Sequence, residues 1–209
     1  MSAPFPREAF VTATKRTMLS DLRADYRRYL LPALKEYGAV RAHVVSALRY
    51  GFLATAVYRF GRWTRTIKPR WLSYPFKALY MVLDTLVEIL FGISISANSD
   101  IGPGLYIGHF GNIIVCANLG ANCSIGQGVT IGSKGAGKSN GYPVLGDNVF
   151  MGAGAMVIGH VRIGHDVIIG ANTVVVQDVP DRHRVVSAAV RITPLDAGSG
   201  GPQVTDRPE

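Results

Sequence analysis

The chain is predicted to be mainly β, a parallel β-helix of hexapeptide repeats entered through a helical N-terminal region. Three observations carry that reading. Between residues 95 and 175 an aliphatic residue or Met recurs at every sixth position: Ile95, Ile101, Ile107, Ile113, Leu119, Ile125 and Ile131, then, after one interruption, Leu145, Met151, Val157, Ile163, Ile169 and Val175. Nine of these thirteen are followed directly by Gly. The fifth position of each unit is mostly small or β-branched, as at Ala117, Cys123, Val129, Ala155 and Val161. A period of six fits no helix, but it fits a short strand plus a tight turn. Three such units close a triangular coil, and coils stack with parallel strands about 4.8 Å apart. One coil alone cannot bury its aliphatic face, so the array is stable only as a whole.

In chain order, residues 1–14 read as a frayed end. From Lys15 to Tyr37, Leu19, Leu22, Tyr26, Tyr29, Leu30 and Leu34 recur at helical spacing, with Ser20-Asp21 as a start signal. Pro32 is expected to kink or divide that helix, and Gly38 to end it. A second helix is expected over Val40–Thr66 and a third over Tyr74–Phe91, with Pro75 breaking its start and Gly92 stopping it. The apolar run from Leu72 to Ile95 is interrupted by Lys77, Asp84 and Glu88, which favours a helix packed on helices over a membrane span. The expected organisation is a helical region over 1–92, the β-helix over 93–192 with a loop at 133–144, and a disordered tail over 193–209.

Hydrophobic residues make up 48% of the chain, ample for a core, and the net charge is +8. Residues 15–77 hold fourteen of the 22 Lys and Arg against Asp21, Asp25 and Glu36. Such an excess reads either as a solvated helical face or as attraction to an anionic surface, membrane or polyanionic substrate. No recognition motif accompanies it, which argues against nucleic acid. Cys116 and Cys123 sit inside the repeat and read as reduced thiols. Met1 to Phe10 lacks the layout of a signal peptide, so a cytoplasmic protein, peripheral on the inner face of a membrane in one reading, is expected.

Chemistry needs side chains that leave the prism. His109 follows a Gly at the third position of its unit. With eighteen residues per coil, Gln127 stacks above it, and Ala153 and Ala171 continue the column. A base below a column that narrows to Ala leaves a groove for a slender ligand, and imidazole can take a proton from an alcohol attacking a thioester. The Gly-rich basic loop 133–144 projects from the coil between, but lacks the spacing of a Walker phosphate loop. His160 and His165 raise a zinc site of the gamma-carbonic-anhydrase kind; they fall out of step with that register, and surface turns account for both better, so no metal is expected.

The segments Phe91-Gly92-Ile93-Ser94-Ile95, Ile107-Gly108-His109, Gly135-Ala136-Gly137-Lys138-Ser139, Met151-Gly152-Ala153-Gly154-Ala155 and Ala189-Val190-Arg191-Ile192 resemble bacterial serine acetyltransferases, and more closely the exopolysaccharide (colanic-acid-type) acetyltransferases. Tyr58 to Trp63 resembles the helix before the prism in that group. The resemblance implies a left-handed β-helix, acetyl transfer from acetyl-CoA to a hydroxyl, and a homotrimer, or a pair of trimers, with sites between adjacent prisms. It implies His109 as general base, the pantetheine arm along Gly152, Ala153, Gly170 and Ala171, and Lys138 and Arg191 on the CoA phosphates.

The departures are specific. The base of serine acetyltransferases follows an Asp, here Gly108, and a second Asp that orients it is here Ser94. The loop His before Pro is Tyr142, and the Arg before that is Gly141. With those charges missing, Ser94, Asn112 or a backbone carbonyl is expected to hold His109, and Ser94, Asn112, Gln127 and Tyr142 to line the acceptor site. A saccharide hydroxyl in exopolysaccharide biosynthesis is the expected acceptor, with an altered serine acetyltransferase and a membrane-docking trimeric scaffold as the alternatives.

Overall fold

Thr17 opens the first helix. In the computed structural model, which describes residues 16–135 and 141–188, α1 spans Met18–Glu36. The Thr17 side chain accepts from the Ser20 amide at 3.1 Å and Ser20 Oγ accepts from the Thr17 amide at 3.0 Å, a reciprocal capping box. The start signal at Ser20 is therefore the third position of the box. Pro32 lies inside α1 on its exposed side and does not divide it.

The single helix expected over 40–66 is two, α2 (Ala39–Ala47) and α3 (Tyr50–Thr64), because Arg49 is extended at φ −62, ψ 126. The break lets α3 lie directly on the prism. A Cβ at Gly51 would stand 2.9 Å from Ile107 Cβ and 2.8 Å from the Tyr29 hydroxyl, so only Gly permits that approach. Helix α4 begins at Arg70 rather than Tyr74 and runs to Phe91 through Pro75, whose ring faces outward. Gly92 ends it in the left-handed region, its amide donating to Glu88 O at 2.9 Å. Among the described residues no helix is long and apolar enough to cross a membrane.

From Ile93 the chain winds into a three-sided prism of short parallel strands. The first face stacks Ile93–Ile95, Ile113–Val115, Thr130–Gly132, Met156–Ile158 and Val174–Val175. The second stacks Asn118–Leu119, Val144–Leu145 and Arg162–Ile163, extended by single bridges at Ile101 and Val179. The third stacks Tyr106–Ile107, Ser124–Ile125, Phe150–Met151, Ile168–Ile169 and Arg184–Val185. Aliphatic side chains from the strands fill the axis, two each from Ile93–Ile95 and Ile113–Val115, and Ile107, Ile125, Met151 and Ile169 are each at most 2% exposed.

The six-residue count needs one correction. Ile113 pairs with Ile93, and it is Val115 that stacks between Ile95 and Ile131. The corner from Ile107 to Val115 is two residues longer than the period, and the step from Val115 to Leu119 two shorter. Both Ile113 and Val115 point inward at 0% exposure, so an aliphatic still falls on the counted position.

The helices seal the first coil, whose open edge otherwise leaves backbone groups unpaired. Tyr29 Oη accepts from the Ile107 amide at 2.8 Å, and Tyr58 Oη donates to Ser99 O at 2.8 Å and accepts from the Ile101 amide at 3.1 Å. Asp25, fully buried, accepts from the amides of Gly104 and Leu105 at 2.7 and 2.8 Å. Arg59, 4% exposed, reaches Asp25 Oδ2 at 2.9 Å through Nε and donates to the carbonyls of Ile101 and Gly102. Burial pushes the Asp25 carboxyl up against the opposing pull of Arg59 and the two amides.

Candidate functional site

His109 stands on the corner between the third and first faces, in the first coil. The two extra residues of that corner push His109 and Phe110 outward, and both are exposed. The turn beneath is fixed from several sides. Gly108 donates to Ile125 O at 3.0 Å, Gly111 to Phe91 O at 2.8 Å and Ile113 to Gly92 O at 2.9 Å. Tyr50 donates to Gly108 O at 3.3 Å, and its ring meets Phe110 edge-on at 5.2 Å. The imidazole thus projects from a braced turn, at the junction of the prism with the ends of α3 and α4.

Above the turn runs a column of stacked residues, with Gly111 rather than His109 directly beneath Gln127 because the corner is two residues long. Gly128 donates to Gly111 O, Gly154 to Gln127 O and Asn172 to Ala153 O, at 2.7–2.9 Å, stacking residues 127, 153 and 171 along one edge. Gly152 and Gly170 precede the two alanines in register. Ser94 is on the first face opposite Ile114, and Asn112 turns left-handed at φ 51 on the surface. Among the described residues neither they nor any backbone carbonyl hydrogen-bonds the His109 ring. Lys138 and Arg191 lie outside the described residues.

Tyr142 belongs to a different corner, between the first and second faces. It is 60% exposed and borders a cavity of about 190 Å³ with Ser96, Asn98, Ser99, Cys116, Ala117 and Asn118. His160 lies at the same corner: a Cβ on Gly141 would stand 2.6 Å from its ring, so the imidazole rests on the Gly141 backbone. The Lys134 stem lies on Gly159 beside it, with Cε 2.8 Å from where a Cβ would stand. Neither His160 nor Lys134 stood out in the sequence as lying at this corner; only the register of the coil on either side of the loop brings them there. His165 is at the third corner, where Nδ1 accepts from the Asp147 amide at 3.0 Å. The two histidines of the zinc reading therefore stand at separate corners. Burial pushes the Cys116 thiol up, and that of Cys123 up to about 12, which keeps both protonated near neutral pH.

Residues 142–177 match the family described as bacterial transferase hexapeptide (six repeats). The chain is a hexapeptide-repeat protein with serine acetyltransferase homologues. It is 34% identical over 119 residues to the serine acetyltransferase of Synechococcus elongatus, a match covering 54% of this chain and 44% of that one. Among solved structures, the Neisseria gonorrhoeae serine acetyltransferase in complex with serine superimposes with a TM-score of 0.63 at 29% identity, covering 84% of this chain and 68% of that one. The Brucella abortus serine acetyltransferase in complex with coenzyme A gives 0.68 at 25%, covering 83% and 66%. The architecture is thus the left-handed β-helix of those structures behind a helical region. The chain spans less than half the length of the curated relatives it matches.

These relatives overturn the expected acceptor. They are named as serine acetyltransferases, and nothing among them supports a saccharide or exopolysaccharide biosynthesis. The expectation rested on charges absent from positions 141 and 142. The folded corner carries a cation all the same, because Lys134 comes in from the other side of the loop.

Proposed function

We propose that this chain is an acetyl-CoA-dependent O-acetyltransferase acting on the hydroxyl of serine, with His109 as general base. The observation that carries this is the exposed imidazole on a braced, lengthened turn, at the foot of a column that narrows from Gln127 to Ala153 and Ala171. The pantetheine arm lies along that column and brings the thioester to the imidazole. His109 takes the proton as the serine oxygen attacks the thioester carbonyl. The tetrahedral adduct collapses, the C–S bond breaks, and the imidazolium returns the proton to the leaving CoA thiolate.

The acceptor is held by the Tyr142 corner, with Lys134 toward its carboxylate and His160 and Tyr142 beside it. On one prism that corner and the His109 corner lie at opposite edges of the first face, so a site using both forms between adjacent copies. The working unit is accordingly a homotrimer.

The test is CoA release from acetyl-CoA with and without L-serine. Turnover is expected only with both, and His109→Ala is expected to lower kcat by about 10²–10⁴-fold, the range for a positioned general base, with particle mass unchanged. Full activity in that variant, or no turnover with L-serine, overturns the assignment.

A further inference from the structure

Helix α4 is apolar on the side that faces away from the rest of the molecule. Its inward side is mixed, with Ser73, Lys77, Tyr80 and Asp84 buried or half-buried among Phe76, Leu83, Val87 and Phe91. Its outward side carries Trp71, Leu72, Tyr74, Leu79, Met81, Val82, Leu86, Ile89 and Leu90, each between 43 and 73% exposed. At 3.6 residues per turn these occupy an arc of roughly 180°, on which Thr85 is the one polar residue. All four charges of the helix, Arg70, Lys77, Asp84 and Glu88, fall on the other half. Twenty-two residues make this half-cylinder about 33 Å long, larger than the apolar patches a soluble monomer ordinarily leaves open.

We propose that this face lies in the surface of an anionic lipid bilayer, parallel to the membrane plane. The breadth of the arc decides between occupants. A partner helix covers a stripe of about 100° and would leave Leu72 and Leu90 on one flank and Tyr74 and Met81 on the other in water. A planar apolar medium covers a half-cylinder, and an interfacial helix sinks about 5–10 Å, roughly half its own diameter. The charge pattern agrees. Trp71 and Tyr74, residues suited to the headgroup level, follow directly on Lys68 and Arg70. Between residues 16 and 92 eight basic side chains are exposed against two acidic ones, Glu36 and Glu88, which favours an anionic surface over a neutral one.

The experiment is co-sedimentation of the full chain with phosphatidylcholine vesicles, with and without phosphatidylserine, over a salt series. Sedimentation velocity in the absence of lipid runs alongside. The wild type is expected to pellet with the anionic vesicles and to be released as salt rises. Val82→Glu places a charge at the centre of the arc and is expected to lower partitioning by about tenfold or more, with solution mass and serine-dependent CoA release unchanged. Val82→Leu is expected to bind as the wild type does. Failure of the wild type to pellet overturns the proposal. So does a Val82→Glu variant whose particle mass falls below that of the wild type, since the face is then an interface between copies.

Discussion

Replacing Arg59 by Met tests how the helices are fastened to the prism. In the wild type the guanidinium donates to both oxygens of Asp25, at 2.9 and 3.1 Å, and to two carbonyls of the first coil, with both side chains essentially out of water. Met fills similar volume but leaves Asp25 with only its two backbone donors and strands the carbonyl of Gly102, while that of Ile101 keeps Arg16. Breaking a buried pair from one side costs about 3–5 kcal/mol, because an uncompensated charge stays behind. For a chain of this size that corresponds to a fall in Tm of roughly 6–20 °C. Urea unfolding followed by circular dichroism is the assay, and the midpoint should fall with the slope nearly unchanged. Asp25→Ala should cost a similar amount, and the double variant less than the two together. A loss below about 1 kcal/mol for Arg59→Met, or strict additivity in the cycle, refutes the view that this pair closes the bottom of the prism.

Gly51→Ala forces a methyl group into Ile107 and Tyr29 and should cost about 1–3 kcal/mol by chemical denaturation, with Gly38→Ala, where nothing lies within 4 Å, as the silent control. Stability should also fall at alkaline pH. Burial pushes the phenols of Tyr29 and Tyr58 up and that of Tyr80 up to about 12, while an unfolded phenol ionises near 10. Above about pH 10 the unfolded chain therefore holds fewer protons than the folded one, and each further rise in pH favours unfolding. Urea midpoints at about pH 8 and 10.5 measure this, and equal values contradict it. Lys134→Ala should raise the KM for serine about tenfold and leave that for acetyl-CoA alone, as expected for one charged hydrogen bond to the acceptor. An effect confined to acetyl-CoA would move Lys134 to the other substrate.

The prism was legible because each strand must send an aliphatic residue to the axis, and that demand prints a period onto the chain. Its irregularity was not legible. The long corner after Ile107 and the short step after Val115 cancel over two units, so Leu119 returns to the count and Ile113 masks the slip between them. The break at Leu48-Arg49 left no mark either, since helix propensity continues through it; what sets it is the docking of Gly51 on a strand far along the chain. His109 was singled out by its place after a Gly at the third position of its unit and by the Ile107-Gly108-His109 motif. His160 and Lys134 flank a loop and meet only when the coils stack. The acceptor was misread for a related reason: charges missing from one stretch were taken as missing from the whole corner, although the fold brings Lys134 to it from the other side of the loop.

The stacking itself has a consequence for reach. Gln127, Ala153, Ala171 and Ser187 rise one strand spacing at a time above the turn that bears the imidazole, about 19 Å over four steps. On the proposed assignment the edge is a ruler with its zero at the reacting bond. Adding or deleting one whole rung would shift the far end of that ruler by about 4.8 Å while leaving the zero mark untouched, so on the same assignment rung number sets the length of acyl carrier that fits.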